Sequence, residues 1–345
     1  MSRRDLAPKG QATVIGSLPH TDPQAACSLV MKYLPQLPAW PQLPKRSFLE
    51  NMYVQFSQGF PGVRVEGGRI YVADNAEKEE SLSQLYRAYL EDNSLSRPVT
   101  SEYAAGLYAF LDTPPPSAMA VKGQVVGPVS WGLTVTNEER RSVLYDEVLA
   151  DALAKHLRLK ATWQEKMLQK LHPQTVIFVD EPYLSALGSA FVSVPRELVV
   201  SLLEEVFQGI QGFKGVHCCG NTDWSLLLET SVDILSLDAY NYAETFGLYP
   251  YEVEAFLRRG GIIAWGLVPN EPEPLKRETP ASLTDRWEAA AAALSRKGVT
   301  PSLLRERWLV TPSCGLSGLS EDGAAQALEL TALTAALLRE KYLKD

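Results

Sequence analysis

The chain has 345 residues, 46% of them hydrophobic, and 41 acidic against 33 basic side chains leave a net charge of −8. That length supports a large core and fits one elaborated barrel or two ordinary domains; the acidic balance, with no Lys/Arg stripe, argues against nucleic acid as a partner. No apolar run has the length of a signal peptide or a bilayer span. The four cysteines (27, 218, 219, 314) are no disulfide framework in a chain this long, so a cytoplasmic protein with thiols free for metal and no membrane association is expected.

In chain order, Ala12 to Pro19 reads as a first strand ending in Gly16-Ser17, with His20 just beyond. Asp22-Pro23 then opens a helix carrying Cys27 among apolar residues. Pro38 to Pro44 is a short second strand. Residues 46–58 carry Arg46, Glu50, Asn51, Tyr53 and Gln55, a polar density that reads either as pocket lining or as a solvated loop. Within residues 62–73, two β-rich triplets around Gly67-Gly68 predict an inserted β-hairpin. Helices are expected over 77–92 and 102–111, a third strand over 121–126, and a long helix from about Asn137 to Leu171. His156 and His172 on that helix have no ligand-type neighbour in sequence and read as structural. Val176 to Val179 is an apolar strand that stops at Asp180-Glu181-Pro182, followed by a helix over 195–210.

The next strand ends in Val216-His217-Cys218-Cys219-Gly220-Asn221. Alternate side chains of a strand share a face, so His217 and Cys219 point one way and Cys218 the other. Taken alone, such a pair packs more often than it binds metal. Two later segments change the balance: Asp233 to Asp238 is an apolar strand ending in a carboxylate, and Leu309 to Gly315 is one ending in Cys314-Gly315. Parallel α/β folds place their chemistry on that edge, so His217, Cys219, Cys314 and one carboxylate make a candidate tetrahedral zinc site. A helix over 251–259, a strand over 262–266, an Ala-rich helix over 280–297 and a last helix over 324–343 complete the pattern. Eight strand candidates alternating with helices predict an α/β protein, a (β/α)8 TIM barrel forming a single domain over 1–345, with a doubly wound sheet as the alternative. No glycine-rich phosphate motif follows any strand.

Ile15-Gly16-Ser17, Asp180-Glu181-Pro182, His217-x-Cys219 and Pro312-Ser313-Cys314-Gly315 stand in the order found in the catalytic barrel of cobalamin-independent methionine synthase, which this chain resembles. His217 to Thr222 is more similar to the corrinoid-dependent methyltransferases related to uroporphyrinogen decarboxylase. The resemblance implies Zn2+ held by His217, Cys219 and Cys314, with Asp238 near the position of the family's glutamate ligand and Glu244 as its rival. It also implies substrate contacts at Ile15, Gly16, Ser17, Asp180 and Glu181; a salt bridge or helix cap is the other reading of the acidic pair. His20 either donates a proton to a leaving group or caps the next helix. The activity implied is transfer of a methyl group to the zinc-activated thiol of a small homocysteine-like acceptor. Nothing here corresponds to the synthase's N-terminal barrel or its Glu-rich segment, which leaves a methyl-corrinoid protein or methyl-folate as donor. Two cysteine thiolates and a carboxylate outweigh a +2 ion by one negative charge, a ligand set suited to alkyl transfer to sulfur rather than to hydrolysis. The alternatives are a uroporphyrinogen decarboxylase-like or corrinoid-binding barrel without thiol methylation, and a zinc hydrolase.

Overall fold

The computed structural model describes residue 8, residues 10–189 and residues 192–343; the two ends of the expected 1–345 domain and residues 190–191 lie outside these. In chain order the strands are β1 (Val63–Glu66), β2 (Arg69–Val72), β3 (Val121–Val126), β4 (Thr136–Asn137), β5 (Thr175–Asp180), β6 (Phe213–Cys218), β7 (Ile234–Leu237), β8 (Ile262–Val268) and β9 (Trp308–Pro312). Six of them form one sheet in the order β3-β5-β6-β7-β8-β9, and every neighbouring pair is parallel. The sequence explains the arrangement: Thr-Val-Ile-Phe-Val-Asp in β5 and Ile-Ile-Ala-Trp-Gly-Leu-Val in β8 are buried at every position, as parallel strands covered on both faces must be.

Isolated parallel bridges carry the pairing beyond the two outer strands. Ala12 bridges to Val310 of β9, Ser17 to Gln42, and Ala39 to Lys122 of β3. The segments expected as first and second strands are therefore extended and paired, yet only at single bridges. Proline explains much of this: Pro19, Pro38, Pro41 and Pro44 have no N–H to give to a ladder.

The hairpin forms as β1 paired antiparallel with β2, Val63 opposite Val72, with Gly67 and Gly68 both at positive φ in the turn. β4 adds to β2, making a side sheet separate from the main one. Here the structure corrects the long-helix expectation. The helix runs Glu147–Leu168 and starts ten residues late because Thr136–Asn137 is spent on β4, and Asp146 caps the helix through Val148 N and Leu149 N.

Register places the site. Val176, Phe178 and Asp180 of β5 lie level with Phe213, Gly215 and His217 of β6, and Gly215 and His217 with Ile234 and Ser236 of β7. On that shared face Val176, Phe178, Phe213 and Ile234 pack with Leu37, Ala264 and Leu309 into an apolar plug. The same face turns polar at its C-terminal edge, at Asp180, His217 and Ser236, where the cavity opens.

Candidate functional site

His217 is the second-to-last residue of β6 and is 2% exposed. Its Nδ1 lies 3.0 Å from Ser236 Oγ, and its Nε2 is buried with no hydrogen-bond partner. With Nδ1 engaged by a hydroxyl, Nε2 is the ring nitrogen free to meet a ligand, and a metal-ligating imidazole is oriented in the same way through its other nitrogen. Two residues on, Cys219 leaves the strand half-buried; Cys314, also half-buried, follows β9. The ligand atoms of His217, Cys219 and Cys314 all lie within 4.8 Å of one another. Cys218 points away into the core, as strand alternation requires, with its thiol on the Gly220 carbonyl. Cys27 is likewise core, and His156 and His172 engage backbone groups away from the cluster.

Cys219 is held well below the usual thiol range, chiefly by the neighbouring Cys314 thiol and also by His217, against its own burial; Cys314 is pushed up in return. The Cys314 loop is fixed from two sides. Asn270, just past β8, accepts from Ser313 Oγ at 3.0 Å and donates to the Gly315 carbonyl at 3.4 Å, so it brackets Cys314. A Cβ on Gly315 would come within 2.1 Å of Ser17 Oγ, so any side chain there would make Ser17 shift from the place where the first segment and this loop meet.

A cavity of about 400 Å3 opens over the cluster. Ile15, Ser17, Asp180, His217, Cys219 and Cys314 line it, together with Gln42, Glu50, Met52, Tyr53, Pro182 and Asn270. Asp180 ends β5 with Oδ1 buried and unpartnered. Burial raises its carboxyl to about 6, with Lys122 and His217 opposing the rise. Glu50 is fully buried; Oε1 takes Arg46 at 2.8 Å and Oε2 makes no hydrogen bond. Its carboxyl is raised by burial, with Arg46 and the amides of Leu43 and Ala105 pulling the other way.

Four expected site residues lie elsewhere. Glu181 is fully buried and turned away from the cavity. Its oxygens accept from Val129 N at 2.9 Å, Ser130 N at 2.7 Å and Ser130 Oγ at 2.6 Å, at the start of the helix Pro128–Thr134. Even so, desolvation raises it to about 7. Asp238 is outside the three-residue cluster and spends its carboxylate on Asn241 N and Nδ2 as the cap of the helix Ala239–Phe246; Glu244 on that helix is exposed. His20 is 6% exposed, with Nδ1 unpartnered, and does not line the cavity. It does not cap the following helix either: Asp22 does, through Gln24 N and Ala25 N. Gly16 is buried behind the wall that Ile15 and Ser17 form. Glu50, among the residues whose polar density pointed to pocket lining, lines the cavity; Lys122 and Asn270 escaped notice. A lysine inside a strand otherwise fit for burial, and an asparagine just past a strand's C-terminal end, are the signals that mark them.

Fold and site together define an α/β protein with a His/Cys/Cys cluster on the C-terminal edge of a curled, all-parallel sheet. No family model matches the chain, and no curated protein does. Among solved structures it is similar to a B12-independent methionine synthase from Shewanella sp. W3-18-1 in complex with selenomethionine, at 16% identity and a TM-score of 0.61, over 98% of this chain and 99% of that one. It is also similar to a methyltransferase from Methanosarcina mazei, at 14% identity and a TM-score of 0.55, over 99% of this chain and 95% of that one. At such identities the likeness establishes a shared fold over essentially the whole length. Among the described residues no helix is long and apolar enough to cross a membrane.

Proposed function

We propose that the chain is a zinc-dependent, methionine synthase-like methyltransferase that moves a methyl group to the thiol of a small acceptor bearing an ammonium group, homocysteine being the simplest. In this reading the molecule is one (β/α)8 barrel, with residues 12–18 and 38–42 as its first two strands, and the likeness to two methyltransferase structures supports it. The observation that carries the proposal is the convergence of His217, Cys219 and Cys314 beneath an open cavity, with His217 Nε2 buried and without a hydrogen-bond partner. An unpartnered buried imidazole nitrogen facing two thiols is unfavourable by itself and fits a soft divalent cation. Asp238, engaged with Asn241, and the exposed Glu244 stand outside the cluster, and the three ligands that remain leave a position for the acceptor.

Zinc bound there would supply the positive charge that lets a thiol act as a thiolate at neutral pH. The chain's own groups do the rest. Ser236 orients the His217 ring, and Asn270 holds the Cys314 loop. Asp180 and Glu50 present carboxylate oxygens to the acceptor's ammonium, Ser17 lies on the wall for its carboxylate, and Met52, Tyr53 and Pro182 keep water from the reacting sulfur. The donor is a methyl-corrinoid protein or methyl-folate. Four free cysteines among the described residues suit a reducing cytoplasm.

Zinc analysis followed by calorimetric titration with homocysteine tests this. Stoichiometric zinc and release of a proton on thiol binding are expected. Zinc without any thiol-dependent proton release would leave a hydrolase or an inert barrel. Pairing homocysteine with methylcobalamin, then with methyl-tetrahydrofolate, identifies the donor.

A further inference from the structure

Beneath the cavity, β3 buries a lysine. Lys122 is 0% exposed; its Nζ donates to the Ile15 carbonyl at 2.6 Å and to Gln124 Oε1 at 3.3 Å, and it sits 4.2 Å from the centroid of the Phe178 ring. Both hydrogen-bond acceptors are neutral, and Asp180 acts on the ammonium only through space. A buried ammonium without a contacting anion is costly, and neutral acceptors with a ring face recover only part of that cost. A methionine would fill the same space without the charge. What the cation adds is a directed hold on one carbonyl, 107 residues away in sequence.

That carbonyl begins the wall segment. A Cβ on Gly16 would lie 2.7 Å from Gln124 Cδ and 2.9 Å from Gln42 Oε1, so the segment is seated on two buried amides. Its far end carries the Cys314 loop: the Ser17 carbonyl accepts from Leu316 N at 2.8 Å, and Gly315 abuts Ser17 Oγ. The contacts thus run from Lys122 through Ile15 and Ser17 to the residues just after Cys314.

We propose that Lys122 is a positioning residue: its ammonium pins the Ile15 carbonyl and thereby fixes both the Ser17 wall and the Cys314 loop docked on it. The proposal rests on the functional reading above only for what the wall serves, seating the acceptor. Lys122→Met keeps the volume and removes the charge. Its thermal midpoint should equal or exceed the wild type's, while the Leu18 and Leu316 amides, bonded to Gln42 and Ser17, exchange at least ~10-fold faster and those of β5 to β7 keep their protection. Lys122→Ala should recover slow exchange with propylammonium and not with propanol. In methyl transfer, Lys122→Met should raise the acceptor KM ~10-fold or more and leave kcat within about twofold. Unchanged Leu18 and Leu316 exchange in Lys122→Met, or equal rescue by propanol, overturns the proposal. Failure of the wild type to bind homocysteine overturns the functional reading instead, and the exchange result still decides the role of Lys122.

Discussion

The two edges of the parallel sheet bury carboxylates in opposite ways. At the N-terminal edge Glu165 is 2% exposed and fully engaged, accepting from Thr175 Oγ1 at 2.7 Å, Gln211 N at 2.7 Å and Gly212 N at 2.6 Å, so it ties together the starts of β5 and β6. At the C-terminal edge Asp180 and Glu50 are buried too, yet each keeps an oxygen without a hydrogen bond. Glu181, next in the chain to Asp180, behaves like Glu165. A buried charge that is completed by its own protein is scaffold. One left incomplete beside a cavity is stabilised only when a ligand brings the missing partner.

The sharpest way to break this contrast is at the cluster itself. Cys314→Ser should lose metal and methyl transfer together, by more than the ~10–100-fold in metal affinity expected for Ser236→Ala, which only frees the His217 ring. Full zinc in Cys314→Ser would remove that residue from the ligand set. Next in size, Asp180→Asn should weaken acceptor binding by ~2–3 kcal/mol, the worth of a charge-assisted contact, while the fold is no less stable. Glu165→Ala should do the reverse: it strands three donors and costs ~2–4 kcal/mol of folding stability, with zinc content and acceptor affinity unchanged. If Glu165→Ala altered acceptor affinity as strongly as Asp180→Asn, the division between scaffold and site would fail.

The cluster was legible in the sequence because its parts sit at strand ends. An apolar run that stops at Asp180, at His217-x-Cys219 or at Cys314 announces both the strand and the edge on which the residue emerges. What the sequence left open was which way a carboxylate turns. Asp180 and Glu181 are adjacent and chemically alike, and they differ only because the backbone N–H groups at Val129 and Ser130, some fifty residues away, lie within reach of Glu181. Asp238 was misleading in the same manner: a carboxylate after a strand is as well placed to cap the next helix as to bind metal. The segments expected as the first two strands pair only at isolated bridges, because their prolines have no N–H for a ladder, and no hydrophobic pattern reveals that.

Lys160 offers the smallest effect, and it sharpens the contrast with a cation remote from the cavity. It is 1% exposed on the helix Glu147–Leu168, and its Nζ donates to the Pro98 carbonyl at 2.6 Å. Burial, with Arg97 adding repulsion, pushes its ammonium down to about 7. His156, one turn earlier, is held well below its usual range by burial and by Lys160, so it brings no charge at neutral pH. The folded pKa lies below the unfolded value of about 10.4, so between pH 7 and 10 the unfolded chain binds more protons than the folded one. Stability contributed by this residue therefore rises with pH across that window, and the penalty is fully present below about pH 7. Lys160→Met should stabilise the protein at pH 7 by ~1–3 kcal/mol and flatten the dependence between pH 7 and 10, as read by chemical denaturation at a series of pH values. Thiols and tyrosines titrating in the same range cancel in the difference between variant and wild type. An unaltered slope in Lys160→Met would mean that the Pro98 carbonyl completes this ammonium as fully as three donors complete Glu165, and incompleteness would then mark no buried charge outside the cavity.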